Sequence, residues 1–109
     1  MAMEVFNVQD RKRYSNTGMV SELLSKTARS EIACMSFEPG QGTGLGSVHP
    51  NSDQIIYVVE GEVEAEVQGE KAKGGPGTVV LIPADTRHII RNVGKGRLLL
   101  LSIYTPPAY

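Results

Sequence analysis

The segment from residue 60 to residue 67 alternates strictly between glutamate and a small or apolar residue. A period of two is the repeat of a β-strand, in which successive side chains point to opposite faces. It predicts a strand over residues 62–67, with Val63, Ala65 and Val67 on the core face and the glutamates in water. We interpret the glutamate row as a solvated face whose charge also prevents edge-to-edge pairing of strands. A cation site on this row is the alternative.

Turn residues divide the rest of the chain into short pieces, because 12 glycines and 6 prolines are a dense punctuation for 109 residues. The pieces between the turns have almost no helical periodicity. We predict further strands over residues 31–37, 45–49, 54–59, 78–82, 87–92 and 97–104. Many short strands joined by tight turns predict an all-β barrel or sandwich, and a closed barrel best removes unpaired edges at this size.

The first 30 residues are less regular than the rest. We predict a strand over residues 5–8, a polar loop over residues 10–16, and either a strand or a short helix over residues 20–28. A chain of 109 residues is long enough for one domain. We therefore expect a single domain over residues 1–109, with N-terminal strands and a loop in residues 1–30 and the barrel core in residues 31–104.

Composition argues against several classes of protein. A formal net charge of -1 lacks the basic excess that pairs with nucleic-acid phosphates. The longest apolar run, residues 98–101, is too short to span a bilayer, and residues 1–10 lack the apolar segment of a secretory signal. The single cysteine, Cys34, permits neither an intrachain disulfide nor a cysteine zinc cluster, and we expect it to be a buried, inert thiol. We expect a cytoplasmic protein with neither nucleic acid nor a membrane as its partner.

The chain has two histidines, and each lies at the end of a predicted strand beside a turn. His49 precedes the turn sequence Pro-Asn-Ser-Asp, and His88 follows the similar sequence Pro-Ala-Asp-Thr. If the strands on either side of the first turn form a hairpin, His49 and Gln54 lie opposite each other. Ser47 shares the face of His49, because alternate residues of a strand point the same way.

The spacing around the first histidine resembles the first motif of the cupin family. In that motif two histidines one residue apart precede a glutamate and then a glycine. Residues 44–61 match it with Ser47 and His49 at the histidine positions, Gln54 at the glutamate and Gly61 at the glycine. Serine and glutamine therefore stand where a complete cupin site has two metal ligands.

The spacing around the second histidine resembles the second cupin motif, which residues 77–92 match with Pro83, His88 and Asn92. Asp85 stands where this motif usually has glycine, and aspartate tolerates the positive φ that such a position requires better than most residues do. The two motifs together cover about half of the chain. The resemblance implies a double-stranded β-helix, or small jelly-roll barrel, with one pocket in its mouth.

In cupins with a complete site, three histidines and a glutamate hold a divalent metal. The resemblance implies that His49, Gln54 and His88 are metal ligands here, with Gln54 either a third ligand or an orienting residue and Ser47 a candidate fourth ligand. Two imidazoles and an amide oxygen form a neutral set, so we expect weaker binding than with a carboxylate. Imidazole suits nickel, zinc, copper and iron. The alternative is a metal-free pocket in which these side chains bond to one another or to water.

These observations leave three functions open. The first is a small cupin barrel that binds a divalent transition metal and binds or acts on a small organic molecule. The second is a metal-free module that binds a small molecule or a sugar without catalysis, which the missing carboxylate favours. The third is a barrel retained for assembly. The sequence does not decide whether the chain is an enzyme.

The leucine run at residues 98–101 also predicts a homodimer. Consecutive leucines occupy both faces of a strand, and only one face can enter the barrel core. The other face needs cover from a second subunit. Cover by the N-terminal segment of the same chain is the alternative.

Overall fold

The computed structural model describes residues 3–44 and 46–109. In these residues eight strands follow one 3₁₀ helix, Val8–Asp10. The strands are β1 (Val20–Lys26), β2 (Glu31–Phe37), β3 (Asp53–Glu60), β4 (Val63–Val67), β5 (Glu70–Gly74), β6 (Val79–Ile82), β7 (His88–Asn92) and β8 (Leu98–Thr105). They form a five-stranded sheet, β1-β2-β8-β3-β6, and a three-stranded sheet, β5-β4-β7, with antiparallel pairing throughout. No helix within the described ranges is long and apolar enough to cross a membrane.

The main core contains apolar side chains from both sheets. Phe37, Ile56 and Leu100 come from the larger sheet, Val63 and Ile90 come from the smaller one, and all five are at most 1% exposed. Alternation along the strands directs these side chains inward. Full burial of each large side chain stabilises the fold by roughly 1.5–3 kcal/mol.

The outer face of the larger sheet carries a second apolar cluster. Leu99 is fully buried there beside Leu24 and Cys34, and Phe6 and Val8 pack against this cluster. The chain's own N-terminal segment therefore covers part of the outer face, which was the alternative to cover by a second subunit. The homodimer stays a prediction.

Glu64 and Glu66 of the glutamate row lie on the middle strand of the smaller sheet rather than at an edge, because β4 pairs with both β5 and β7. The expectation that all the glutamates lie in water is wrong for two of them. Glu64 is 9% exposed, and both it and Glu66 bind the Arg91 guanidinium, at 3.1 and 2.7 Å. The cause is the strand register, which places Glu64 directly opposite Arg91 on β7. Glu64 and Glu66 therefore form an ion-pair network with Arg91, and β4, as a central strand, has no free edge to protect.

Two predicted elements differ from the observed ones, one alternative is decided, and one strand was missed. The predicted strand over residues 5–8 is wrong, because residues 5–7 are irregular and the 3₁₀ helix begins at Val8. The segment over residues 20–28 is a strand, β1, and β5 was not predicted at all. Of the predicted strand over residues 45–49, Leu45 lies outside the described residues, and residues 46–49 contain a single bridge, from Ser47 to His88.

Residues 41–44 and 46–49 are irregular, run alongside β7 and position the first histidine. The Thr43 amide donates to the Ile90 carbonyl at 2.9 Å, and the Ser47 amide donates to the His88 carbonyl at 2.8 Å. The close approach requires glycine at position 42, since a Cβ there would lie 2.9 Å from the Ile90 carbonyl oxygen. This pairing brings the segment that carries His49 to the start of β7, where His88 lies.

Candidate functional site

A pocket of about 450 Å³ opens between the two sheets, within the size range of small-molecule sites. Ser47, His49, Gln54 and His88, the four residues singled out from the sequence, all line it. The remaining lining residues are Met19, Ser21, Met35, Gly42, Thr43, Ile90, Tyr104 and Tyr109. No Lys, Arg, Asp or Glu is present among the described residues of this lining.

The side chain of His88 is fixed by its own backbone neighbourhood. Its ring is 3% exposed, and Nδ1–H donates to the Thr86 carbonyl at 3.0 Å. This bond selects the tautomer in which Nε2 carries the lone pair, and the same arrangement orients histidines that bind metals. The unprotonated Nε2 of His88 is therefore the ring nitrogen that can bind a metal ion or accept a hydrogen bond.

His49 is held by packing against other rings. It is 8% exposed, and its ring centroid lies 5.2 Å from that of His88, with edge contacts to Tyr104 at 5.0 Å and Tyr109 at 5.5 Å. Burial lowers the pKa of His49 below its ordinary 6.5, and the nearby His88 lowers it further, against a smaller opposing effect of Glu31. His49 is thus neutral at pH 7, which is the form that binds a metal or accepts a hydrogen bond.

Hydrogen bonds connect the turn that follows His49 with the turn that follows Pro83. The Asp85 amide donates to the His49 carbonyl at 2.9 Å, and the Ala84 amide donates to Asp53 Oδ1, also at 2.9 Å. Asp85 has a φ of 59°, which agrees with the positive φ expected at that position. Both aspartates therefore stabilise turns, and these turns fix the relative positions of the two histidines.

Gln54 has one polar atom without a partner. Its side chain is 2% exposed, and Nε2 donates to Ser102 Oγ at 2.9 Å and to Tyr104 Oη at 3.2 Å. Oε1 is buried and has no hydrogen-bond partner among the described residues. An unpaired buried carbonyl oxygen costs roughly 1–3 kcal/mol, so this acceptor can take a hydrogen-bond donor or a metal ion from the pocket.

The hairpin expected from the sequence does not form. Gln54 lies on β3, which pairs with β8 and β6 rather than with the segment that carries His49. His49 and Gln54 nevertheless line the same pocket. Ser47 lies on the wall and exchanges both backbone hydrogen bonds with His88, at 2.8 and 3.0 Å.

The donor set fits a metal ion, although it differs from a carboxylate-rich site. Within residues 3–44 and 46–109 no three His, Cys, Asp or Glu side chains cluster as a metal site. The donors present are the two imidazoles and the unpaired Oε1 of Gln54. Imidazole nitrogen and amide oxygen are both ligands of first-row transition metals, and three ligands leave open positions for water or substrate.

Sequence reasoning missed a buried carboxylate beside the pocket. Glu31 is 4% exposed, and its Oε1 accepts hydrogen bonds from the amides of Ala108 and Tyr109, each at 3.0 Å. These bonds hold Tyr109 at the pocket, where its ring packs edge-on against His49. No local signal reveals this role, since it depends on the pairing of β2 with β8, which places Glu31 opposite Tyr104.

The other candidates lie away from the pocket. Cys34 is 1% exposed in the outer cluster, and burial raises the pKa of its thiol, as expected for an inert cysteine. Tyr57 is 43% exposed on β3 and does not line the pocket.

Comparisons with known proteins agree with this architecture. The TT1209 protein from Thermus thermophilus has a TM-score of 0.89 and 31% identity, over 95% of this chain and 98% of that one. A double-stranded β-helix protein from Klebsiella pneumoniae has a TM-score of 0.90 and 23% identity, over 98% of this chain and 94% of that one, and shows the fold alone.

Among curated relatives, a protein described as "Polyketide synthase CurC" from Streptomyces cyaneus is 44% identical over 60 residues, which are 55% of this chain and 39% of the relative. The chain thus corresponds to less than half of that relative's length. The family model described as "Cupin domain" matches residues 33–104, which include both histidines, and the fold is the double-stranded β-helix expected from the sequence. The chain therefore belongs to the cupin family.

Proposed function

We propose that His49, Gln54 and His88 hold a divalent transition-metal ion and that the surrounding pocket receives a small organic molecule. The observation that carries this proposal is the unpaired, buried Oε1 of Gln54 in the same lining as the imidazoles of His49 and His88. These atoms are three neutral donors, and each side chain is already fixed by bonds or packing that leave the donor atom free.

A metal ion at this position would act as a Lewis acid that polarises an oxygen of the bound molecule. The chain's own residues supply the rest of the site. The Thr86 carbonyl keeps the His88 proton on Nδ1, and Ser102 and Tyr104 fix the amide of Gln54. The apolar and aromatic side chains of the lining would shield one side of a bound molecule from water, which would strengthen its electrostatic contacts there.

The second candidate function is a metal-free module that binds a small molecule or a sugar without catalysis. The absence of any carboxylate from the described lining favours it, because the pocket then lacks both an evident general base and a charge to offset a divalent ion. In this case Gln54 Oε1 accepts a hydrogen bond directly from the ligand.

Calorimetric titration of metal-free protein with zinc, nickel, copper, manganese and ferrous ions tests the proposal. We expect one ion to bind per chain, with binding abolished in His88→Ala and in His49→Ala. Lys95→Ala is the control, since Lys95 is exposed in the turn between β7 and β8. The proposal is wrong if no ion binds, or if His88→Ala binds metal as the control does. Binding of organic ligands by the metal-free protein would then support the second function.

A further inference from the structure

We propose that residues 106–109, which we call the strap, form a gate over the pocket, with the Tyr109 ring as its cover and Glu31 as its latch. The gate separates the pocket from an adjoining cleft and controls access to His49. The proposal concerns how a molecule reaches the pocket, and it does not depend on whether a metal ion binds there.

The ring of Tyr109 is a thin wall between the pocket and water. Its centroid lies 5.5 Å from the ring of His49 and 5.6 Å from the ring of Tyr104, with the rings edge-on. Tyr109 is nevertheless 70% exposed, whereas His49, against which it packs, is 8% exposed. A side chain with so much of its surface already in water loses little buried contact when it moves away. The cover can therefore be displaced without disturbing the core.

A cleft of about 230 Å³ adjoins the pocket at this wall, and Ser21, Tyr104 and Tyr109 line both cavities. Strand pairing fixes Ser21 in β1 and Tyr104 in β8. Of these three shared residues, Tyr109 alone lies outside the sheets. Displacement of the strap would therefore join the two cavities and give a ligand a longer space than the pocket alone.

The sequence of the strap leaves it with few hydrogen bonds of its own. Pro106 and Pro107 have no backbone N–H, so Ala108 and Tyr109 carry the two amide donors of the strap. Both amides donate to the same atom, Oε1 of Glu31, each at 3.0 Å. Glu31 is 4% exposed and belongs to β2, so the acceptor is held in place by the sheet. Loss of this one carboxylate would release both amides together.

Lys26 is a second group that holds the strap. It lies opposite Glu31 in the β1–β2 register, and its Nζ donates to the Tyr109 carbonyl. Lys26 is exposed, and a contact of an exposed lysine stabilises little because water competes for it. Glu31 is therefore the main latch. A segment held by so few bonds can open locally while the sheets stay folded.

Hydrogen exchange tests whether the strap opens by itself. We expect the amides of Ala108 and Tyr109 to be protected to a similar degree, because they share one acceptor. Both should exchange more slowly than in an unstructured peptide and faster than the amides of the central strand β8. Exchange as slow as in β8 would mean that the strap opens only when the whole protein unfolds, and exchange at the unstructured rate would mean that the strap is not latched. Either result would overturn the proposal.

Acylation of His49 by diethyl pyrocarbonate measures access to the pocket in metal-free protein, with peptide mass spectrometry to distinguish His49 from His88. We expect Tyr109→Ala and Glu31→Ala each to raise the rate at His49 at least about tenfold, because the rate scales with the fraction of molecules that are open. Tyr57→Ala is the matched control for the first variant, since Tyr57 is an exposed tyrosine that does not line the pocket. Glu70→Ala, at an exposed site on β5, is the control for the second, and neither control should change the rate.

The two variants fail in different ways if the proposal is wrong. A faster rate in Tyr109→Ala alone would show that the ring covers His49 but that Glu31 does not hold it, and the latch would be overturned. Unchanged rates in both variants would overturn the gate. If Glu31→Ala does not fold, Tyr109→Ala and the exchange rates of the wild type decide. Because this reaction needs no metal ion, its outcome is separate from that of the metal titration.

Discussion

Two side chains of the pocket, Gln54 and His88, are each held through one polar atom and present another. Gln54 uses its Nε2 on two hydroxyl groups and keeps Oε1 free, while His88 uses Nδ1 on a carbonyl and keeps Nε2 free. This division matters because a ligand group whose orientation is already fixed loses little conformational entropy when it binds. Because these bonds orient the metal-binding atoms, single substitutions in the pocket should change metal affinity.

Ser47→His tests whether the wall position beside His88 can contribute a ligand. Ser47 is half-buried at the pocket, so a larger side chain has room toward solvent. We expect the added imidazole to tighten metal binding at least about tenfold, about 1.4 kcal/mol, and the further change Gln54→Glu to increase the gain by adding a negative charge. Unchanged metal affinity together with a lowered thermal midpoint would show that the position packs against the core and does not reach the metal.

The lowered pKa of His49 predicts a pH-dependent stability in the metal-free protein. Below pH 6.5 the unfolded chain takes up a proton at this residue that the folded chain does not. The free energy of unfolding should therefore fall as the pH drops from 6.5 toward the lower pKa of the folded state, and this contribution should be constant above 6.5. Urea unfolding at a series of pH values measures it.

His49→Gln is the control for this pH dependence, because glutamine does not titrate. The difference in unfolding free energy between wild type and variant should vary with pH below 6.5 and be flat above it. A difference that stays constant across the acid range would mean that His49 titrates alike in the folded and unfolded chains.

At the level of elements, the β3–β4 connection depends on a glycine that no other residue can replace. Gly61 has a φ of 93°, and a Cβ there would lie 2.4 Å from the Arg97 carbonyl oxygen and 2.8 Å from Leu98 Cα. We expect Gly61→Ala to destabilise the fold by more than about 2 kcal/mol, through both backbone strain and the steric clash. Thermal or urea unfolding measures the loss.

Gly69→Ala separates the two causes. Gly69, in the β4–β5 turn, has a φ of 84°, but a Cβ added there would meet no atom within 4 Å, so only the strain applies. We expect a loss of about 1 kcal/mol at this position. Similar losses at Gly61 and Gly69 would contradict the close approach of Arg97.

Which elements could be predicted depended on whether local pattern or distant packing decided the structure. Residues 31–37 were predicted as a strand with the bounds observed for β2, because their apolar residues and the following Pro-Gly are local signals. β5 was missed because four of its five residues are exposed, so it carries no alternation. Residues 5–8 have strand-like apolar spacing, yet Phe6 and Val8 are used to cover the outer cluster and pair with no strand.

In the candidate site, too, residues with a local sequence signal could be predicted and residues placed by distant packing could not. His49, Gln54 and His88 could be selected from the sequence, because the motif spacing fixes their places relative to turns. Glu31 and Tyr109 could not, because they approach the pocket through the β2–β8 register and the return of residues 106–109. Residues brought together by non-local pairing leave no periodic signal in one sequence.

For the whole molecule, the outer face of β3 and β6 is the surface where we expect a second copy to bind. Ile55 pairs with Leu81 across the strands and Tyr57 with Val79, and these four side chains form what we call the β3–β6 patch. Val79 and Leu81 are each 61% exposed and Tyr57 is 43% exposed. The patch has no charged residue, lies on an edge strand and can meet its own copy about a two-fold axis.

Leu81→Lys tests the dimer, because two such patches would then place like charges against each other. We expect light scattering at micromolar concentration to give a dimeric mass for the wild type and a monomeric mass for this variant. Val93→Lys, at an exposed apolar residue outside the patch, should remain dimeric. A monomeric wild type would rule out the dimer, and the partial cover of the outer face by Phe6 and Val8 would then suffice.

Anomalous diffraction from crystals grown with zinc tests the metal site most directly, because it locates the ion without reference to activity. The account predicts one strong peak in the pocket, about 2.0–2.1 Å from a ring nitrogen of both His49 and His88, with Gln54 Oε1 at a similar distance. The same peak should be absent from crystals of His88→Ala. A pocket without a peak at saturating zinc, or zinc bound only at exposed carboxylates such as Glu70, would contradict it.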